Sequence, residues 1–121
     1  AAVADYRPES AAEGKIKKEH AALELHLERT VDILGSLEGT FVRVGFAAES
    51  SDLERNAQAK LTGKQLDLIV ANDIMSRESG FGSENNKVTI IDRLGGIDRL
   101  PLLSKRAVAD RILDRVVPLL Q

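Results

Sequence analysis

The stretch TFVRVGFAAESSDLERNAQAKL, residues 40–61, decides the fold. Its first part is a short apolar run that is rich in β-branched and aromatic residues: Phe41, Val42, Val44 and Phe46. Such a run is typical of a buried strand. Gly45 allows another chain segment to lie close to the backbone of this strand. We therefore predict a central strand over residues 41–46.

The second part of the stretch predicts a helix. Ser51 or Asp52 is suited to cap it, and Leu53, Ala57 and Leu61 form an apolar stripe along it. Ligands of open α/β sheets bind beyond the carboxyl ends of the strands, where such strand–helix turns meet. We therefore expect Phe46 to lie at a binding site. Lys60 and Lys64, which are four residues apart on one helix face, are expected to point back towards it.

The rest of the carboxyl-terminal half extends this sheet. LDLIVA, residues 66–71, reads as a second buried strand, and a strand–helix–strand unit predicts parallel pairing. A long polar loop over residues 72–86 follows, in which Asn72 and Asp73 either order the loop or belong to a site. Residues 87–92 and 97–100 are predicted to form an antiparallel hairpin around Gly95-Gly96. Ser104 then caps a last helix with an apolar side, which ends at Pro118. That apolar side comprises Val108, Ile112, Leu113, Val116 and Val117.

The amino-terminal part is less regular. Residues 1–4 look like the end of a buried strand, and residues 6–14 like a loop. Residues 21–28 alternate between apolar and polar side chains, which predicts a half-exposed strand with its apolar face towards the core. The open edge of this strand is our candidate for a dimer contact. A short helix is expected over residues 31–37, with Thr30 as its cap and Gly39 as its stop. Because the chain opens on the end of a strand, we interpret it as a fragment.

Composition excludes several classes of protein. The chain has 121 residues, of which 43% are hydrophobic, enough for one domain over residues 1–121 with a packed core. A net charge of −2 argues against a dedicated nucleic-acid binder. The absence of cysteine excludes disulfides and thiol nucleophiles, and the two histidines, His20 and His26, suggest no metal cluster. No apolar stretch approaches the ~18 residues of a membrane span. We expect a soluble, cytoplasmic protein.

Four motifs carry a resemblance to a known family: AAVADYRPESAAEGKIKK, VGFAAE, LDLIVAND and SGFGSENN, in that order. They resemble the phosphopantothenoylcysteine synthetase domain, commonly the carboxyl-terminal half of a bifunctional coenzyme A biosynthesis flavoprotein. The resemblance implies a Rossmann-like, three-layer α/β domain with a mainly parallel sheet, whose amino-terminal part precedes Ala1, and which forms homodimers. It also implies CTP-dependent ligation of 4′-phosphopantothenate to cysteine through an acyl-cytidylate. Mg²⁺ is the implied cofactor, and FMN belongs only to a possible fused decarboxylase domain outside this chain.

The resemblance also assigns site residues. Those implied to contact CTP are Ala1, Asp5, Lys15, Val31, Asp32, Ile33, Leu34, Phe46, Lys60 and Lys64. Lys15 is the implied catalytic residue, because an ammonium lowers the cost of bringing a carboxylate to a phosphate. Phe46 is suited to stack on a pyrimidine. Asp5 is suited to accept hydrogen bonds from ribose or base, or to help hold Mg²⁺. The family usually has Lys-Asn-Pro-Asp-Ile where this chain has Arg29-Thr30-Val31-Asp32-Ile33.

Other readings remain open at this point. Lys15 in KIKK is otherwise an ordinary solvated lysine, and Phe46 an ordinary core residue. The chain as a whole is alternatively a non-catalytic nucleotide-binding or dimerisation module, or an unrelated α/β domain. As a fragment it is expected to bind CTP weakly and not to complete the ligation alone.

Overall fold

A computed structural model describes residues 3–17, 22–75 and 83–120 of the chain. The chain divides into two compact units, Ala1–Ser36 and Leu37–Gln121. The single domain over residues 1–121 stays a prediction. None of the helices within the described ranges combines the length and apolar character that crossing a lipid bilayer requires.

The first unit is built on a two-stranded antiparallel ribbon. Strand β1 (Tyr6–Pro8) pairs with β2 (Leu27–Arg29), with Arg7 opposite Glu28. The backbone N–H of Thr30 donates to the Asp5 carbonyl at 2.9 Å and so continues the ladder. The Arg7 guanidinium also binds the Glu28 carboxylate across the ribbon at 2.7 Å.

Several predictions for this unit are wrong. The strand expected over residues 21–28 is reduced to β2, and its apolar side chains are not in a core, since Leu23 and Leu25 are 71% and 60% exposed. The alternating pattern predicts that the apolar face of this strand packs against another element. The described part of this unit contains no second sheet or long helix that could cover that face. In addition, β1 occupies part of the predicted loop over residues 6–14. The predicted strand end over residues 1–4 lies partly outside the described residues, and Val3 and Ala4 are not in a strand.

The predicted helix over residues 31–37 is present as the single turn α1 (Ile33–Ser36). Asp32 caps it, because the Asp32 carboxylate accepts from the Gly35 N–H at 3.1 Å. Thr30, the expected cap, instead donates its hydroxyl to the Ala4 carbonyl at 2.5 Å.

The second unit is a mixed sheet with helices. Its first elements are β3 (Val44–Glu49), α2 (Leu53–Gly63) and β4 (Leu68–Asp73). After residues 76–82 come β5 (Asn85–Asn86), β6 (Val88–Asp92), β7 (Ile97–Arg99) and β8 (Leu103–Ser104). Helix α3 (Lys105–Val116) and a 3₁₀ turn, Val117–Leu120, complete the unit.

The strands follow the order β3-β4-β6-β7 in the main sheet, while β5 pairs with β8. The predicted parallel pairing of β3 with β4 is confirmed, with Val44 opposite Leu68. The pairs β4–β6 and β6–β7 are antiparallel. The α/β class is therefore confirmed, but the described sheet is not mainly parallel. Among the described strands, β3 has a neighbour on one side only.

Both parallel strands begin two or three residues later than predicted. The reason is a clamp at their amino ends, where the Asp67 carboxylate accepts from the Arg43 N–H at 2.7 Å and the Arg43 carbonyl accepts from the Asp67 N–H at 2.9 Å. Phe41 therefore precedes the strand and lies half exposed, with its ring centre 5.1 Å from the Arg43 guanidinium carbon.

Alternation along the strands gives the sheet two covered faces. Leu68, Val70, Val88 and Ile90 pack against α3 through Val108, with Ile112 and Val116 partly buried beside them. Ile69, Ala71 and Ile91 project to the opposite face, where α2 packs against β3, β4 and β6 through the buried Ala57 and Leu61. Full burial of an aliphatic side chain is worth about 1.5–3 kcal/mol, so these two layers hold the sheet.

The carboxyl-terminal elements follow the predictions closely. The hairpin turns at Gly95, whose φ of 89° suits glycine, and its N–H donates to the Asp92 carbonyl at 3.1 Å. Ser104 caps α3 by accepting from the Ala107 N–H at 3.2 Å. Leu113 and Val117, however, are 59% and 57% exposed and do not belong to the buried stripe.

Candidate functional site

A concave feature of the second unit lies towards the carboxyl ends of the parallel strands. It is a cavity of about 480 Å³ between the sheet and α3. Phe46 and Ala48 of β3 border it, and Val70, Val88 and Val108 contribute apolar wall. Phe46 and Ala48 reach it because even-numbered residues of β3 project towards α3. The Phe46 ring is 73% exposed, so it is a surface platform and not a core residue.

The polar groups of this cavity are few and are placed close together. Asn72 and Asn86 line it, and the Oδ1 atom of each is buried without a hydrogen-bond donor among the described residues. Lys105, the first residue of α3, is the basic residue among those that line the cavity. An apolar cleft with a few convergent polar groups is the usual form of a small-molecule site.

Lys60 lies at the same end of β3 but on the other face of the sheet. Its ammonium binds the Glu49 carboxylate at 2.5 Å. Glu49 is three residues after Phe46, so the two side chains leave the strand on opposite sides. Lys60 thus points towards the carboxyl end of the strand without lining the cavity. Lys64 follows α2 as its carboxyl cap, with its N–H donating to the Lys60 carbonyl at 3.0 Å.

The other expected site residues belong to the first unit. Asp5 and Lys15 have exposed side chains, and Ala1 lies outside the described residues. Val31 to Leu34 form the turn into α1, with Asp32 as its cap. Asp5 and Lys15 belong to the first unit and Phe46, Lys60 and Lys64 to the second, so their convergence stays a prediction.

The described residues, 3–17, 22–75 and 83–120, give no support for metal binding by the chain alone. No three His, Cys, Asp or Glu side chains come together there in a way that can hold a metal ion. Magnesium bound to a nucleotide needs only one or two protein carboxylates, because phosphates and water complete its coordination.

The cavity contains three polar or charged residues that the sequence does not assign firmly to a site. For Asn72 the sequence predicts either a role in ordering the loop or a place in a site, and for Asn86 and Lys105 it makes no prediction. A signal existed for Asn72, which lies two residues after Val70 and therefore shares its face of the strand. The ambiguity of Asp73 is resolved in part, since its carboxylate accepts from the Met75 N–H at 3.0 Å and so orders the start of the loop. The loop glycines and Phe81 lie outside the described residues.

The fold and the cavity define the class of this protein. It is an α/β protein with a largely apolar cavity towards the carboxyl ends of a parallel strand pair. Residues 1–119 match the model of the DNA/pantothenate metabolism flavoprotein C-terminal domain. The chain belongs to that family.

Individual relatives agree with the family match. The chain is 44% identical over 122 residues to the coenzyme A biosynthesis bifunctional protein CoaBC of Bacillus subtilis, covering 98% of this chain and 30% of that protein. It is 38% identical over 123 residues to a cysteine/cysteine sulfinic acid decarboxylase from an unknown prokaryotic organism, covering 98% and 34%. The crystal structure of the C-terminal domain of a CoaBC protein superimposes with a TM-score of 0.74 at 37% identity, covering 99% of this chain and 52% of that one.

These comparisons confirm the family resemblance inferred from the sequence. The chain spans about a third of the length of the curated relatives it matches. The activities of those whole proteins are therefore not assigned to this chain by the comparisons.

Proposed function

We propose that the chain contributes the nucleotide-binding part of a phosphopantothenate–cysteine ligase of coenzyme A biosynthesis. The observation that carries the proposal is the family match over residues 1–119. The cavity that the exposed Phe46 ring borders extends to the carboxyl ends of a parallel strand pair and supports the proposal, because this is where α/β sheets bind nucleotides. Rossmann-like sheets are built by repeating a strand–helix–strand unit such as β3–α2–β4. We therefore also propose that the complete sheet has a Rossmann-like arrangement.

The proposed ligation has two chemical steps. The carboxylate of 4′-phosphopantothenate attacks the α-phosphorus of CTP, an acyl-cytidylate forms, and pyrophosphate leaves. The amine of cysteine then attacks the acyl carbon, CMP leaves, and the amine loses a proton. Both steps develop negative charge on phosphate oxygens, so fixed cations lower the barrier.

The residues of this chain have distinct roles in the proposal. Phe46 stacks on the cytosine ring. Lys60 and Lys64 hold the triphosphate together with Mg²⁺ in the proposal, which requires Lys60 to exchange Glu49 for a phosphate, because Lys60 lies on the other face of the sheet and pairs with Glu49. Lys15 is the catalytic cation, on an exposed segment of the first unit. Asp5 and the residues from Val31 to Leu34 complete the nucleotide contacts. A homodimer in the cytoplasm is the expected form of the ligase.

Two alternatives use the same scaffold. One is a non-catalytic module that binds a nucleotide or dimerises. The other follows the decarboxylase name of one relative, in which case the matched segment accompanies a flavin domain. The ligase is favoured over the module because Lys15 is retained with the motif AAVADY before it at the family's spacing.

A calorimetric titration tests the nucleotide part of the proposal. The chain is expected to bind CTP with Mg²⁺ more tightly than ATP, and Phe46→Ala is expected to weaken CTP binding about tenfold, since base stacking is worth about 1–3 kcal/mol. Phe41→Ala is the matched control, because Phe41 is also half exposed but lies at the other end of the strand. Equal losses in both variants would contradict the assignment of Phe46.

A chimera tests the chemistry. This chain replaces the matching segment of the Bacillus subtilis relative, and the chimera is assayed for pyrophosphate release from CTP that depends on phosphopantothenate, and for the ligated product. CTP binding without turnover would favour the non-catalytic module. Turnover would establish the ligase reading.

A further inference from the structure

A second cavity of the second unit lies at the amino ends of the parallel strands, and we call it the amino-end cavity. Its volume is about 440 Å³. The sheet contributes three charged residues that stand directly before β3, directly before β4 and directly after β6: Arg43, Asp67 and Arg93. Helix α2 and the turn after it contribute three polar residues: Gln58, Thr62 and Gln65. The amino-end cavity shares no lining residue with the cavity between the sheet and α3, so the two are separate sites.

The amino-end cavity carries an excess of positive charge, because two guanidinium groups and one carboxylate line it. Both oxygens of the buried Asp67 carboxylate already accept hydrogen bonds, one from the Arg43 backbone N–H at 2.7 Å and the other from the Arg93 guanidinium. Within the part of the chain that the structure describes, the Arg43 guanidinium donates to the Leu37 carbonyl at 2.7 Å and to no carboxylate. One positive charge of the amino-end cavity is therefore left without a counter-ion.

Arg43 also has a hydrogen-bond donor that is not used. Its Nε atom is buried and has no acceptor among the described residues. The side chain is held in place, because its Nη2 atom donates to the Leu37 carbonyl and its guanidinium carbon lies 5.1 Å from the centre of the Phe41 ring. Folded proteins leave few buried donors unpaired without a reason. An acceptor bound in the amino-end cavity would supply the missing partner.

The carboxyl end of α2, which borders the same cavity, opposes an anion only weakly. The last carbonyls of a helix repel anions most when they are unpaired. Here three of them accept N–H groups from the following turn, at 2.9, 3.0 and 3.2 Å, in a turn that Gln65 makes with a φ of 52°. The helix and the turn therefore present mainly side-chain amide and hydroxyl groups to the cavity, and such groups donate hydrogen bonds to anions and to hydroxylated molecules.

We infer that the amino-end cavity binds a small hydroxylated molecule through an oxyanion group, a phosphate or a carboxylate, that is held by Arg43 and Arg93. Guanidinium groups bind both kinds of oxyanion with parallel N–H donors. The polar side chains of α2 and its turn suit the hydroxylated body, and a volume of about 440 Å³ is ordinary for a small-molecule site. The occupant contacts residues next to three strands, so its binding stabilises the second unit.

The test is an NMR titration of the full chain, at constant ionic strength, with three matched probes: glycerol 3-phosphate, glycerate and glycerol. At least one of the two anions is expected to give saturating shifts at the amides of Arg43, Asp67 and Arg93, and the anion that binds more tightly identifies the oxyanion. Glycerol, which has no charge, is expected to bind at least about tenfold more weakly. Equal binding of glycerol would overturn the inference. Anion shifts confined to the surroundings of Phe46 and Lys60 would also overturn it.

Arg93→Gln removes one of the two cations and is expected to weaken binding of the tighter anion about tenfold or more. Arg99→Gln is the matched control, because it makes the same charge change at an exposed arginine that pairs with Glu54 and lies outside the amino-end cavity. Binding by Arg99→Gln is expected to be unchanged. Equal losses in the two variants would show that only the net charge of the protein matters, and would overturn the inference.

A third variant separates binding from structure, because Arg93 also pairs with the buried Asp67. Arg93→Lys keeps a cation beside Asp67 but loses the planar pair of donors, so it is expected to fold like the wild type and to bind the anion more weakly. The anion should also raise the melting temperature of the wild type and of Arg99→Gln more than that of Arg93→Lys. Wild-type affinity in both Arg93 variants would remove Arg93 from the site and overturn the inference.

Discussion

The ammonium of Lys60 lies 2.5 Å from the carboxylate of Glu49 and ties the second half of α2 to the last residue of β3. The Glu49 side chain is 9% exposed and the Lys60 side chain 47%. The pair therefore has one partner that is removed from water and one that is half solvated. Removing the solvated partner leaves a buried carboxylate without its counter-ion, which is the costly way to break an ion pair.

We expect Lys60→Met to lower the free energy of unfolding by about 1–2 kcal/mol, less than for a fully buried pair because Lys60 is half solvated. Arg55→Met, at an exposed position of the same helix, serves as the comparison and is expected to have a smaller effect. Urea denaturation measures both. The double variant Glu49→Gln with Lys60→Met should recover part of the loss, and no recovery would show that the ion pair is not the cause.

Lys15→Gln is expected to reduce turnover of the chimera by about a hundredfold or more, because the variant removes a fixed charge at a developing phosphate charge. Lys15 is exposed, so the melting temperature should not change. Lys17→Gln is the matched control, two residues further along the same exposed segment. Normal turnover of Lys15→Gln would return Lys15 to the role of a solvated surface residue.

Asp92 should make the fold sensitive to acid. Burial opposes its ionisation, but hydrogen bonds from the Gly96 and Leu94 N–H groups, together with the Arg115 guanidinium, outweigh burial and hold the pKa of Asp92 below its ordinary value of 3.8. A carboxyl whose pKa is lower in the folded state stabilises the fold above its unfolded pKa, and this stability is lost as the pH falls further. The contribution of Asp92 should therefore be complete at neutral pH and decline below about pH 4.

Asp92→Asn is expected to cost about 2 kcal/mol at pH 7, since hydrogen bonds to charged groups are worth about 1.5–3 kcal/mol. It should also flatten the pH dependence of the melting temperature below pH 4. Asp110→Asn is the control, because Asp110 is exposed and its oxygen lies 3.7 Å from the Arg106 guanidinium. A wild-type pH profile in Asp92→Asn would contradict the assignment.

The two long helices should respond differently to loss of their caps. Ser104→Ala removes the bond to the Ala107 N–H and is expected to cost about 1 kcal/mol. Asp52 occupies the cap position of α2 without a side-chain bond and with a φ of 44°. Asp52→Gly should therefore stay within about 0.5 kcal/mol of the wild type. Thermal unfolding distinguishes the two, and equal losses would contradict the cap geometry.

The sequence predicted those elements whose local pattern and packing agree. Ala57 and Leu61 of α2 are buried as the stripe required, and the Gly95 turn and the Ser104 cap are where turn and cap chemistry placed them. The prediction of a strand over residues 21–28 is wrong. The alternation of its side chains indicates one face that could be buried, but burial also needs a covering layer, which the local sequence pattern does not encode. The start of β3 was misplaced because Asp67, 24 residues away, clamps Arg43.

The candidate site was predicted only in part. The rule that ligands bind beyond the strand ends predicted Phe46 at the end of its strand and at a binding site, but β3 continues to Glu49, so Phe46 lies in the middle of the strand, where its exposed ring borders the cavity. A ligand on that ring stays a prediction. The rule did not reveal that Lys60 is paired with Glu49, because that contact depends on the length of α2 and the side of β3 from which Glu49 projects. Asn86 and Lys105 come to the cavity through the β5–β8 and α3 arrangement, which no local motif reports.

The one-sided pairing of β3 has a consequence for isotope exchange. Successive amides of a strand point to opposite edges, so every second amide within Val44–Glu49 should exchange slowly behind β4 and the others should exchange quickly with solvent. This alternation would report on the edge of β3 that has no partner among the described strands. If a further strand paired with β3, from the same protein or from another, the amides that exchange quickly would exchange slowly. The change in exchange rate would therefore detect the pairing.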